Sequence, residues 1–182
     1  MMISEQTILQ GHDGPILLGT SKFVDIRGYL EKFYWSEINE TLGFGGIREV
    51  FQTVSEIGTI RAFHFQDNPK PVKKLITVLN GAIREVIVDI RKGSPNFGKP
   101  LTINIESSDI QRTLFIPVGF AHGYQVLKSG TVVQYLFDED FDKNLDGGFN
   151  YESFDNIWLP IERVVSERDK NLEYFKNFES KF

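Results

Sequence analysis

The sequence predicts a mainly β protein, an antiparallel barrel or sandwich with a short C-terminal helix. Three observations point there. Apolar runs of strand length recur at residues 47–54, 59–66, 74–79, 82–90, 100–105, 112–116, 122–128 and 131–137. The gaps are turn-forming, with Asp67-Asn68-Pro69, Asn80-Gly81, Gly93-Ser94-Pro95, Phe97-Gly98 and Ser129-Gly130, and many short strands at such intervals suit a barrel or sandwich. Helical signals are confined to residues 36–41 and the tail beyond Ser166.

Residues 1–20 carry little periodicity beyond a short strand around Ile16–Leu18, and His12 reads as incidental. Phe23 to Tyr34 reads as a strand, an Arg27-Gly28 turn and a second strand. Ser36 can cap a short helix reaching Thr41. Asn80-Gly81 is the strongest hairpin signal, because both residues tolerate the positive φ angles of a two-residue turn. From Asp138 to Asn150 the chain is acidic and loop-like. Ser166-Glu167-Arg168-Asp169 has the capping-box pattern, and Leu172, Phe175 and Phe178 repeat every three residues, so a terminal helix is expected. One domain is expected over residues 1–182, with N-terminal strands to about 50, a core barrel to about 140 and a C-terminal loop and helix over 141–182.

Composition narrows the function. With 41% apolar and 25% charged residues and no apolar run of about 20, the expectation is a soluble protein without a membrane span. No secretory signal is visible, so a cytoplasmic location is the default. The chain has no cysteine, which excludes disulfides, thiolate catalysis and zinc–cysteine clusters. A net charge of −5 without a Lys/Arg run argues against nucleic-acid binding. An anionic small ligand stays possible, since arginines in a pocket act within a Debye length of about 8 Å.

The chemistry-bearing residues fall in two stretches. Gly58 is followed by His64, Gln66, Lys74 and Gly81, and Pro117-Val-Gly-Phe-Ala-His122 follows some forty residues later. Together these resemble the two signature motifs of the cupin superfamily, so the fold expected is a cupin-type antiparallel β-barrel, or jelly roll. Metal-binding cupins hold His, His, Glu and His there; this chain holds His64, Gln66, Lys74 and His122. Glutamine is a poor ligand and a lysine ammonium repels a cation, so no metal is expected. What remains is an imidazole near a fixed positive charge, equipment for moving a proton beside a carbonyl.

Each candidate has a structural alternative. A lone His64 would be read as a core histidine, but two of the three histidines fall on signature positions. Lys74 rather than Lys73 is chosen by its spacing to Gly81, and an inward lysine is costly unless it functions. Tyr135 shares a strand face with Val133 and Phe137 and reads equally as core. Asp169 could simply complete a capping box, and Glu85 could be a histidine's partner or an exposed strand charge. Strand alternation places Ala62, His64 and Gln66 on one face. Arg61 and His64, three apart, reach one ligand only if the strand bulges or Arg61 sits at its mouth.

The resemblance extends further. Arg61-Ala-Phe-His64-Phe-Gln66, Lys74-Leu-Ile, Val88 to Gly98, and Phe115-Ile-Pro117-Val-Gly-Phe-Ala-His122-Gly123 are similar to the dTDP-4-dehydrorhamnose 3,5-epimerases, as are Asp25-Ile-Arg27-Gly28 and Ser166 to Asp169. The resemblance covers roughly residues 20–170. It implies an isomerase without metal or cofactor that epimerises a nucleotide-linked 4-keto-6-deoxyhexose for deoxysugar and surface polysaccharide biosynthesis. It also implies a homodimer that exchanges N-terminal strands. By resemblance His64 is the base, Asp169 its orienting carboxylate, Lys74 the enolate stabiliser and Tyr135 the acid on the opposite face. Arg27, Glu31, Gln52, Arg61, Gln66, His122, Asp146 and Arg168 would bind substrate, with Arg27 and Glu31 supplied by the partner subunit. The chain departs from the family at Ala62, where the family has glycine, in Gln52-Thr-Val54-Ser55, which degrades a nucleotide-binding motif, and at Glu85, where the family has aspartate. A 3,4-ketoisomerase, a non-catalytic sugar-binding cupin and, third, a metal-dependent cupin enzyme are the rival readings.

Overall fold

The computed structural model describes residues 4–7, 14–19, 22–34 and 36–182, so His12 lies outside the described residues. The first sheet runs in the order β1 (Ser4–Thr7), β2 (Ile16–Gly19), β10 (Gln111–Ile116), β7 (Lys74–Asn80), β12 (Thr131–Phe137) and β5 (Glu49–Ser55). The second runs β13 (Asp146–Gly148), β6 (Thr59–Gln66), β11 (Phe120–Val126), β8 (Ala82–Asp89) and β9 (Pro100–Glu106), with β14 (Val164–Val165) alongside β6. All main pairings are antiparallel; β14 on β6 is parallel. β3 (Lys22–Asp25) and β4 (Gly28–Glu31) form a separate hairpin, the strand–turn–strand expected. Among the described residues no helix is long and apolar enough to cross a membrane.

Alternation explains the layers. Inward residues of both sheets, among them Ile76, Val78, Ile87, Leu114, Tyr124 and Val133, form one buried cluster between them. This is the jelly-roll arrangement of a cupin-type barrel. The outer face of the first sheet presents Leu18, Leu75, Phe115 and Leu136, and helix α1 (Ser36–Leu42) covers it with Ile38. Ser36 is α1's first residue rather than its cap. The outer face of the second sheet packs Phe63, Phe65, Val86 and Val88 against aromatics of the C-terminal segment. Much of the chain's phenylalanine is spent there: Phe149 meets Phe63, Phe154, Phe175 and Phe178 within 6.1 Å between centroids.

Two expectations are corrected. Asn80-Gly81 does not close a hairpin, because β7 and β8 belong to different sheets. Gly81 has φ +82° and Asn80 is not left-handed, so the chain bends once and crosses over. A Cβ on Gly81 would lie 2.2 Å from Thr131 Oγ1, which accepts the Ala82 N–H. The terminal helix is also shorter than expected: α2 spans only Glu167–Lys170, followed by a single 3-10 turn at Phe175–Asn177. Phe175 and Phe178 pack in the aromatic cluster, so their spacing of three records that burial rather than a continuous helix.

Candidate active site

A cavity of about 240 Å³ opens between the sheets. Strand β6 supplies its most reactive wall. Between Arg61 and His64 the strand uses three steps where β11 uses two, Tyr124 opposing Arg61 and His122 opposing His64. Of the two arrangements that the spacing allowed, this is the bulge, and Arg61 and His64 both line the cavity. The bulge corrects the face expected for Ala62: its methyl is buried in the outer cluster against Gly123, away from His64 and Gln66. The Ala62–Phe63 peptide within it is cis.

His64 lies 2.8 Å through Nε2 from Asp169 Oδ1. Asp169 also accepts the Ala62 N–H at Oδ2, 3.3 Å, and an Arg168 N–H at Oδ1, 3.1 Å. Burial alone would raise its pKa, but the hydrogen bond and charge of His64, the Ala62 amide and Arg168 together hold the carboxyl below the usual range. Half of the capping box is present, with Ser166 Oγ accepting the Asp169 N–H. The carboxylate itself reaches His64, Ala62 and Arg168 rather than back to the cap. An ionised carboxylate on Nε2 fixes the proton there, leaving the Nδ1 lone pair for chemistry.

Lys74 opens β7 and points inward with Ile76 and Val78, while Lys73 turns outward to Asp138. Its ammonium donates to the His64 carbonyl at 3.3 Å. Burial draws its pKa down to about 8, against the pull of Glu85 and Asp146. His122 pairs through Nδ1 with Glu85 at 2.7 Å, so Glu85 is a histidine's partner and not an exposed charge. Burial drives both towards their neutral forms, raising Glu85 and lowering His122, which Lys74 and His64 lower further. Tyr135 stacks on Phe51 with centroids 4.7 Å apart, and its ring lies 6.3 Å from His122. Burial raises its phenol well above 10, so it is protonated at neutral pH.

The other candidates divide. Asp146 lines the cavity through its bond to Arg168 at 2.6 Å, and Arg61 donates to the Ser55 hydroxyl at 3.3 and 3.2 Å. Gln66 also lines the cavity, yet its amide is engaged by backbone: it donates to the carbonyls of Lys70 and Asp140 and accepts the Asp142 N–H. Gln52 is exposed, and its neighbours on β5, Phe51 and Thr53, are the ones at the cavity. Within the chain Arg27 and Glu31 do not reach it. Arg27 pairs with Asp25 on the exposed hairpin, and Glu31 is buried in an ion pair with Arg112. Among the described residues no three His, Cys, Asp or Glu side chains converge in a metal-like group.

The family model described as dTDP-4-dehydrorhamnose 3,5-epimerase matches residues 11–177. The chain belongs to that family. It is 34% identical over 166 residues to the dTDP-4-dehydrorhamnose 3,5-epimerase of Methanothermobacter thermautotrophicus, covering 87% of this chain and 88% of that one. The Sulfolobus tokodaii dTDP-4-dehydrorhamnose 3,5-epimerase superposes with TM-score 0.89 at 28% identity, over 99% of both chains. The Bacillus anthracis enzyme of that name, solved with TDP and PPi bound, gives 0.82 at 35% identity over 94% of this chain and 99% of that one.

In this epimerase family member the cavity is also lined by Phe51, Thr53 and Phe141, none of which the sequence alone singles out, and Tyr124 sits behind Thr53. Tyr124, two residues after His122, was accessible by strand alternation; it is fully buried and 2.8 Å from Thr53 Oγ1. Thr53 and Phe51 needed the pairing of Phe51 with Tyr135 across β5 and β12, which the sequence does not carry.

Proposed function

We propose that the protein inverts carbon 3, carbon 5 or both of a nucleotide-linked, dTDP-type 4-keto-6-deoxyhexose, through an enolate and without a metal. The reading rests on one observation: His64 backed by Asp169, the Lys74 ammonium and the protonated Tyr135 all line the same cavity. A ketone at carbon 4 acidifies the hydrogens on carbons 3 and 5. His64 takes one as base, and the negative charge that develops on the ketone oxygen is stabilised by Lys74. Tyr135 returns a proton from the other face, and inversion follows.

Among the described residues Arg61 donates to the Ser55 hydroxyl and to no carboxylate, which leaves its charge for the substrate's diphosphate. His122, held neutral by burial, is a hydrogen-bonding group for the sugar. The exposed hairpin, with Phe23, Val24, Ile26, Tyr29 and Leu30 in solvent, supports a homodimer in which it packs on a partner and carries Arg27 to the partner's cavity. Glu31 stays with Arg112.

The test is incubation with several dTDP-linked 4-keto-6-deoxyhexoses in heavy water, read by NMR. Deuterium at carbon 3 or 5 with inverted configuration is expected. A carbonyl moved to carbon 3 would establish the ketoisomerase instead, and absence of exchange with every sugar would leave a binding protein.

A further inference from the structure

We propose that Tyr124, a phenol buried behind the wall of the cavity, is a positioning residue for Tyr135: braced by Thr53, it supports the hydroxyl from which Tyr135 returns the proton. The proposal rests on Tyr135 being the acid.

Tyr124 stands on β11 two residues beyond His122, in the buried cluster that also holds Val133 and Tyr135. It is fully buried, whereas Tyr135 reaches the cavity. The Tyr124 hydroxyl lies 2.8 Å from Thr53 Oγ1, a bond that joins the two sheets, and Thr53 is paired with Val133, two residues before Tyr135 on β12. A phenylalanine would fill the same space among the aliphatic side chains of that cluster, with no hydroxyl to satisfy. Packing alone therefore does not call for this hydroxyl, which besides Thr53 meets the hydroxyl of Tyr135.

At the transfer step the Tyr135 O–H bond breaks, a C–H bond forms on the sugar, and an electron pair stays on the phenolate oxygen. A buried anion without a donor is costly. The charged groups that act on both phenols are Arg61 and Glu85, but Arg61 is turned to the Ser55 hydroxyl and Glu85 to His122. Tyr124 donates to the new phenolate while Thr53 turns its own hydrogen to Tyr124, so that the three hydroxyls act in line. The same line aims Tyr135 before the step: with its oxygen accepting from Tyr124, its hydrogen is left for the carbon. Thr53 lines the cavity, where water returns the missing hydrogen to the chain.

The experiment compares the full chain with Tyr124→Phe, which removes one oxygen, in heavy water with a dTDP-linked 4-keto-6-deoxyhexose that the parent turns over. Inversion should slow by about ten- to a hundredfold, the worth of one hydrogen bond to a charged group, with KM unmoved. Deuterium uptake at the hydrogen that His64 removes should persist, so the ratio of exchange to inversion rises. Thr53→Val, which leaves Tyr124 in place but unbraced, should raise the same ratio by a smaller factor. A ratio that stays at the parent's value in Tyr124→Phe, whether both rates fall together or neither does, overturns the proposal, as does a rise in KM alone. A second arm needs no substrate: with tyrosine labelled at the ring carbon that bears the hydroxyl, the Tyr135 resonance, identified by its loss in Tyr135→Phe, should move in Tyr124→Phe. An unmoved resonance overturns the contact, whereas a parent inactive on every sugar counts against the proposed activity alone.

Discussion

Replacing Lys74 by methionine should slow turnover sharply and yet stabilise the fold. Lys74 is 6% exposed, and burial lowers its pKa from 10.5 to about 8. Below about pH 8 the lysine is charged in both folded and unfolded chains, so the folded state bears the full desolvation. Above 10.5 it is neutral in both, and the penalty is gone. At about 1.4 kcal/mol per pH unit, the gap corresponds to roughly 3 kcal/mol against folding at pH 7. Methionine has similar bulk and keeps an apolar stem near Phe137, whose ring lies 5.6 Å from Nζ. Lys74→Met should therefore raise Tm by about 6–10 °C at pH 7, with the gain shrinking towards zero by pH 10.5. The same variant should lose about 10²–10³ in kcat, because no cation meets the enolate. Paired denaturation scans at pH 7 and 10 test the first part. A variant less stable than the parent at pH 7, or a gain independent of pH, would rule out a desolvation penalty at Lys74.

Three further outcomes follow from the geometry. Asp169→Asn should cost about 10²–10⁴ in kcat and also lower Tm at pH 7, where the ionised carboxylate stabilises the fold; near-native turnover would remove Asp169 from the mechanism. Gly123→Ala should lose about 1–3 kcal/mol in urea denaturation, because its Cβ would sit 2.2 Å from that of Ala62 and 2.7 Å from the Arg61 carbonyl; adding Ala62→Gly should restore part of the loss. Gln66→Leu should release the loop that carries Phe141, raising KM more than it lowers kcat and exposing residues near 140 to protease.

The strands were legible because the cause of each is local. Alternation and β-branched runs define β6 at Thr59–Gln66 and β12 at Thr131–Phe137, the same limits as the runs in the sequence. The period of two put Tyr135 on the face of Val133 and Phe137, whereas it could not separate Lys74 from Lys73; the spacing to Gly81 did. What stayed hidden depends on partners distant in sequence. Asn80-Gly81 has hairpin chemistry, but the strand after it pairs with β11 and β9 instead of β7. Gln52 matched a family motif by position, while its exposure is set by the register of β5 on β12. Glu31 carries no local sign of its bond to Arg112, 81 residues away. Arg61 and His64 form the intermediate case: spacing alone demanded a bulge or a strand mouth, and only the register with β11 chose the bulge.

In the proposed mechanism two groups on opposite faces of the sugar divide the proton transfer between them. Heavy-water exchange separates them. With a substrate turned over by the parent, His64→Ala should stop both deuterium uptake and inversion, whereas Tyr135→Phe should still exchange the hydrogen His64 can reach and return it without inversion. Exchange persisting in His64→Ala, or inversion persisting in Tyr135→Phe, would contradict the assignment.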